Sequence, residues 1–206
     1  MITFFGDIHG AWESFYYKLD KVPEDHVVIQ VGDIGIWPQN WEDISLPRPV
    51  YFIDGNHEYF PYLNGISEVR EIRPNLFYCP RGSVLELDGR RVGFLGGAES
   101  IDKYWRRIGI SWFPEESISQ ADYYKALEMG SVDILVTHTP PLEIVKEVSM
   151  IEDLPGWVNL SAGMVSSVWK ELGKPILVSG HMHCNYKGGN IGGPIYILDE
   201  FSTISL

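Results

Sequence analysis

The stretch Ile2-Thr3-Phe4-Phe5-Gly6-Asp7-Ile8-His9-Gly10 decides how the rest of the sequence is read. A short, mostly apolar run stops at a glycine, and a carboxylate and an imidazole follow at once. A run this short, bounded by glycine, reads as a strand buried on both faces. The glycine lets the backbone turn sharply or approach a ligand closely. The pattern then recurs. Val27 to Val31 ends in Gly32-Asp33, and Val50 to Ile53 ends in Asp54-Gly55-Asn56-His57. Val132 to Val136 leads into Thr137-His138-Thr139-Pro140-Pro141, and Ile176 to Val178 into Ser179-Gly180-His181-Met182-His183.

Helical patterns lie between these strands. Trp12, Phe15, Tyr16 and Leu19 are spaced for one helix face within Ala11 to Leu19. Ser119 to Met129 has a polar start and a glycine stop, and Ser161 to Leu172 stops at Gly173. Ser83 to Leu87 and Arg91 to Leu95 flank Asp88-Gly89 and read as a hairpin. Pro194 to Leu198 and Phe201 to Ser205 read as closing strands. Strand–helix alternation makes this an α/β protein, read as one domain over residues 1–206. In such sheets, sites form outside the carboxyl ends of the strands. That is where every polar cluster above falls.

The composition narrows the function. Hydrophobic residues make up 45 % and charged residues 21 %, which suits a soluble globular chain. A formal net charge of −12 opposes non-specific binding to long nucleic acid. It leaves room for a small phosphorylated substrate, a nucleotide among them, because bound cations invert the local charge. No run approaches the roughly 20 apolar residues of a membrane span. The N-terminal stretch lacks the basic region of a signal peptide. Two cysteines, Cys79 and Cys184, form no CxxC and point to a reducing, cytoplasmic setting. Cys184 follows a His-rich run; a small half-buried thiol is the plainer reading than a metal ligand.

Five of the six histidines sit in the strand-end motifs, and only His26 lies outside them. Imidazole mixed with carboxylate suits Mn, Fe, Zn or Ni better than Ca or Mg. Two cations held about 3.5–4 Å apart stabilise both the attacking and the leaving oxygen of a displacement, and can share a carboxylate.

Gly6-Asp7-Ile8-His9-Gly10, Gly32-Asp33, Gly55-Asn56-His57-Glu58, Thr137-His138-Thr139-Pro140 and Gly180-His181-Met182-His183 stand in an order that resembles the calcineurin-like metallophosphoesterase family. The resemblance runs from residue 6 to residue 183, and small bacterial and phage-type members are the nearest in character. It implies a four-layer αββα sandwich of two mixed β-sheets flanked by helices. It also implies two divalent metal ions, with Mn favoured over Fe, Zn and Ni. Asp7, His9 and His183 resemble ligands of the first metal, Asp33 the bridging carboxylate, and Asn56, His138 and His181 ligands of the second. His57 resembles the catalytic histidine that stands by the leaving group without ligating metal. The implied reaction is hydrolysis of a phosphodiester or phosphomonoester by a metal-bridging hydroxide.

One departure bears on the substrate. Protein Ser/Thr phosphatases of the family carry Gly-Asp-x-x-Asp-Arg-Gly at the second motif, where this chain has Gly32-Asp33-Ile34-Gly35-Ile36-Trp37-Pro38. The arginine that would clamp a phosphoryl group is missing, which weighs against a protein phosphatase. Ile36 and Trp37 either line a pocket for a flat organic group or pack in the core. The loop from Gly96 to Glu116 mixes cations, aromatics and acids, and Arg106 or Arg107 could replace the clamp. A non-catalytic binding module on the same fold is the remaining alternative. It would have no reason to keep seven ligands and His57.

Overall fold

Apolar runs pair here as two mixed six-stranded sheets. The structure, a computed structural model, describes residues 1–149, 159–189 and 192–206. The strands are β1 (Ile2–Phe5), β2 (Val27–Gln30), β3 (Val50–Phe52), β4 (Arg70–Arg73), β5 (Leu76–Tyr78), β6 (Ser83–Leu87), β7 (Arg90–Leu95), β8 (Ile134–Thr137), β9 (Ile176–Ser179), β10 (Tyr186–Gly188), β11 (Ile195–Ile197) and β12 (Thr203–Ser205). The helices are α1 (Trp12–Leu19), α2 (Gln120–Leu127), α3 (Leu142–Val148) and α4 (Leu160–Glu171).

The first sheet runs β12-β1-β2-β3-β5-β4 and the second β10-β11-β9-β8-β7-β6. In each, four parallel strands lie between antiparallel edge strands. Alternation along the strands sorts the residues into layers. Ile2, Phe4, Ile29, Ile53, Phe94, Ile134, Val136 and Val178 form the core between the sheets. Phe5, Val28, Val50 and Phe52 face the other way and pack on Phe15 and Leu19 of α1. Leu135 and Leu177 pack outward on Ala126 of α2 and on Val165, Val168 and Trp169 of α4. Helix, sheet, sheet, helix is the four-layer αββα order expected. Both faces of the central strands are covered, which explains their nearly continuous apolar runs; Thr3, Gln30, Thr137 and Ser179 are buried polar exceptions.

Local chemistry sets the joints. Asp88 and Gly89 both take positive φ (49° and 70°), the geometry of a tight hairpin turn. Ser119 caps α2 in a reciprocal capping box with Asp122. β8 starts at Ile134 rather than Val132, and Asp133 just before it takes the Arg91 backbone N–H on its carboxylate. Four elements went unread in the sequence: β4, β5, β10 and α3. Among the described residues, no helix is long and apolar enough to cross a membrane.

Candidate metal centre

Five parallel strands, three from the first sheet and two from the second, end at one edge. β1 leads to Asp7 and His9, β2 to Asp33, β3 to Asn56 and His57, β8 to His138, and β9 to His181 and His183. The turns that follow are forced into unusual shapes. His9, Asp33, His181 and His183 all have φ between 46° and 67°. Non-glycine residues are uncommon in this region, and strain of this kind collects at functional sites. Gly32 has φ of 101°, and a Cβ there would sit 2.4 Å from Nδ1 of His138. Glycine at this position is what lets the second sheet's histidine close on the first sheet's turn.

Buried side chains hold the turns. Gln30 donates to the carbonyls of Gly6 and Gly32 and accepts from Gly32 N–H. Glu58 accepts from the N–H groups of Ile34, Gly35 and Ile36, at 2.8 to 3.2 Å for its closest contacts. Burial, together with nearby Asp33, raises the Glu58 pKa well above its ordinary value. The Asp33 carbonyl accepts from both Ile8 and His9 N–H.

One donor group is Asp7, His9 and His183. Nε2 of His9 and Nε2 of His183 face each other at 3.2 Å. Asp7 Oδ2 lies 3.9 Å from the former and 3.4 Å from the latter. Hydrogen bonding to Asp7 raises the His183 pKa. Glu200 Oε1 lies 3.6 Å from His9 Nε2, the nitrogen that faces Asp7 and His183, and 3.4 Å from His183 Nδ1.

The other group of expected ligands is Asp33, His138 and His181, and a third set joins Asp33 and His9 to His57. Nδ1 of His138 lies 2.9 Å from the Val31 carbonyl, so Nδ1 carries a proton. Nε2 points at Asp33 Oδ2 (3.3 Å) and Asn56 Oδ1 (3.2 Å). A ring nitrogen and two oxygens thus converge in a place where His138 is fully buried and Asp33 is 1 % exposed. Lone pairs gathered this closely demand positive charge, from a proton or a cation. Burial opposes charge on His138, yet the Asp33 and Asp7 carboxylates raise its pKa to about 10. Burial pushes Asp33 the other way, but His138 holds its carboxyl far below the usual range. Burial and His138 depress His181 to about 3, leaving it a neutral imidazole. This donor set fits divalent cations of the imidazole-preferring kind. Asp33 lies between the two groups, with its Oδ2 also 3.9 Å from His9 Nδ1. All seven expected ligands are therefore brought together.

His57 stands at the mouth, its ring 5.1 Å from that of His9. Its backbone N–H donates to Asp33 Oδ1 at 2.8 Å. Arg106 reaches in from the 96–116 loop. Its Nη2 lies 2.9 Å from His57 Nε2, and Asp102 grips the guanidinium at 2.8 and 2.9 Å. Burial lowers the His57 pKa, Asp33 partly offsets this, and Arg106 lowers it further. These groups open on a cleft of about 560 Å³, whose far wall includes Ile101, Val145, Val148 and Met182.

The other sequence expectations sort as follows. Arg107 is exposed and lies outside the lining of this cleft. Ile36 is wholly buried in the core against Phe5 and Phe52, which decides its case in favour of packing. Trp37 rests beside Tyr59 in a different cleft, with Gly109 and Ile110. Cys184 is half-buried and in neither donor group. His26 accepts or donates at Thr3 Oγ1 and has no link to the centre. Sequence reasoning missed Gln30, Glu58, Ser100, Glu116 and Glu200. Glu58 had a local signal, since it directly follows Asn56-His57; the others had none.

The calcineurin-like phosphoesterase family model matches residues 1–185. The lariat debranching enzyme of Saccharomyces cerevisiae is 28 % identical over 105 residues, which is 51 % of this chain and 24 % of that protein. This chain thus spans about a quarter of the length of that curated relative. The family match covers all the strand-end motifs, and the donors they carry meet at one edge of a four-layer sandwich. The chain belongs to the calcineurin-like phosphoesterase family.

Proposed function

We propose that this protein hydrolyses a small phosphodiester or phosphomonoester at a centre holding two divalent cations, Mn foremost. Asp7, His9 and His183 would hold one cation, Asn56, His138 and His181 the other, and Asp33 would bridge them. The observation that carries the reading is the buried convergence of His138 Nε2, Asp33 Oδ2 and Asn56 Oδ1 within 3.3 Å. When bound, the cations supply Lewis acidity and a nucleophile derived from water near neutral pH.

The chain's own residues do the rest. Arg106 is a donor-only group with a fixed fork, suited to two phosphoryl oxygens. While it donates to His57, Nε2 of that ring is an acceptor. Once phosphoryl oxygens draw the guanidinium away, His57 Nε2 is free to take up a proton from solvent and pass it to the leaving oxygen. Asp102 keeps Arg106 at the cleft in either state. The apolar wall of Ile101, Val148 and Met182 favours an organic leaving group over a bare phosphate, and it excludes bulk water. Arg106 comes from a loop far from the second motif, so this arrangement differs from the protein-phosphatase pattern and supports a small ester, a nucleotide among the candidates.

The test is Mn-dependent hydrolysis of a bis-aryl phosphodiester, measured beside the matching monoester. Turnover with added Mn, abolished by a chelator, is expected. Absence of turnover with Mn, Ni, Fe and Zn alike would overturn the enzyme reading. A His57→Ala variant should bind metal normally and lose about 10²- to 10⁴-fold in turnover.

A further inference from the structure

Asn56 is an amide, and an amide has two unlike ends. Only its oxygen can ligate a cation; its NH2 end would repel one. Something must therefore choose which end faces His138. Nδ2 of Asn56 donates to Ser100 Oγ at 3.0 Å. The Ser100 hydroxyl donates in turn to Glu116 Oε2, also at 3.0 Å. Glu116 Oε1 accepts from Ser100 N–H (2.9 Å) and from Trp112 Nε1–H (2.7 Å). The three side chains are almost out of reach of water: Asn56 is 6 %, Ser100 2 % and Glu116 1 % exposed.

The direction of the chain follows from the carboxylate. An ionised carboxylate only accepts, so the single Ser100 proton is committed to Glu116. Ser100 then has only lone pairs to offer Asn56, and the amide must present NH2. A flipped amide would set its oxygen against a hydroxyl oxygen whose proton is already used, in a buried place where unmatched acceptors are expensive. We propose that Glu116 and Ser100 are positioning residues that lock the Asn56 oxygen toward the second cation and so set that cation's affinity without touching it. This rests on the two-cation reading above. The same carboxylate clasps Ser100 and Trp112, the two ends of the segment that carries Arg106. One buried acid thus aligns a candidate ligand and closes the base of the substrate loop.

In Glu116→Gln the new NH2 can donate to Ser100 Oγ, which then donates to Asn56 and favours the flipped amide. Ser100→Ala only removes the bias. Metal-free protein is titrated with Mn by isothermal calorimetry, and each variant's fold is checked by circular dichroism. The wild type is expected to bind two ions. Glu116→Gln should weaken one of the two bindings by about 10- to 100-fold, the usual reach of a residue that orients a ligand. Ser100→Ala should weaken the same one by less, and the other binding should be unchanged in both. Fewer than two ions bound by the wild type would sink the two-cation reading itself. Two ions in the wild type, with both affinities unchanged in Glu116→Gln, would overturn the positioning role alone. Equal weakening of both bindings would also overturn it, since that marks a general loss of structure. Should Glu116→Gln fail to fold, Ser100→Ala carries the decision: an unchanged pair of affinities overturns the proposal, and selective loss of one supports it.

Discussion

Arg106 Nη2 and His57 Nε2 lie 2.9 Å apart, and Asp102 holds the same guanidinium through Nε and that same Nη2. Under the proposed reading, Arg106 of the 96–116 loop would take the clamping role of the arginine missing from the second motif. Arg106→Ala should lower kcat/KM for a phosphodiester on the order of 10²-fold, the scale of removing one aimed donor. Arg106→Lys should recover only part, because a lysine lacks the fork. Arg107→Ala, at a position outside the cleft, should stay near wild type. Steady-state kinetics of the three variants checks this, and equal losses at 106 and 107 would contradict it.

Asp33 combines a strained backbone with the central carboxylate. Its φ is 55°, a conformation that asparagine also tolerates. Asp33→Asn should therefore fold, as thermal unfolding would show. It should nevertheless lose at least one of the two metal ions by elemental analysis, since the group between the donor clusters becomes neutral. A variant that keeps both ions would remove the bridging role.

Arg81 is a structural counterpart to the centre. It is 8 % exposed and binds Asp54 through Nε (3.0 Å) and Nη2 (2.6 Å). It also binds Asp122 and the carbonyls of Glu115, Glu116 and Ser117. Asp54 is fully buried, and its remaining partner for a carboxylate oxygen is the Tyr78 hydroxyl at 2.8 Å. Arg81→Met strands that acid, which typically costs about 3–5 kcal/mol. Urea unfolding should show the loss. A change below 1 kcal/mol, roughly the value of an exposed pair, would refute this account.

Glu143 on α3 supplies a pH dependence away from the centre. It bonds Lys170 and Ser166 of α4. Partial burial works against its charge, but those two partners lower its pKa from 4.5 to about 2. A depressed folded pKa means the stabilisation is whole above the unfolded value and fades as pH falls toward the folded one. The stability gap between wild type and Glu143→Gln should be constant above pH 5 and shrink between 4.5 and about 2. The pair is largely exposed, so the gap itself should be small. A gap that widens in acid would reverse the assignment.

What the sequence made legible follows from range. β1, β2, β3, β8 and β9 announce themselves because central parallel strands are largely apolar on both faces; a glycine precedes the first donor after each except β8, which runs into Thr137-His138. The Asp88-Gly89 hairpin is legible for the same local reason. β4, Arg70–Arg73, is not: an edge strand with three charged residues has no apolar period to detect. β5 and β10 are three residues each, and α3 spans only seven. At the centre, the donors could be read because each follows its own strand. Ser100 and Glu116 could not, because their meaning depends on Asn56, which lies 44 residues before Ser100. Glu200 likewise meets His9 only through the folded chain. A resemblance carries the atoms that would touch metal, and the atoms that aim them are settled by packing.

The pairing of β1 with β12 has a consequence in time. Thr3 lies opposite Ser205, and Phe5 opposite Thr203. At translation rates of ~5–20 residues per second, residue 205 is made ~10–40 s after residue 3. Throughout that interval the strand that presents Asp7 and His9 has a bare edge, and His181 and His183 arrive late as well. A nascent chain that meets a divalent cation early meets scattered donors, not a centre. Under the proposed reading, cation loading should therefore wait for His181, His183 and β12 to be made, rather than guide the first collapse. The protein's folding should be slow, since the contacts that make the site are among the longest in the chain.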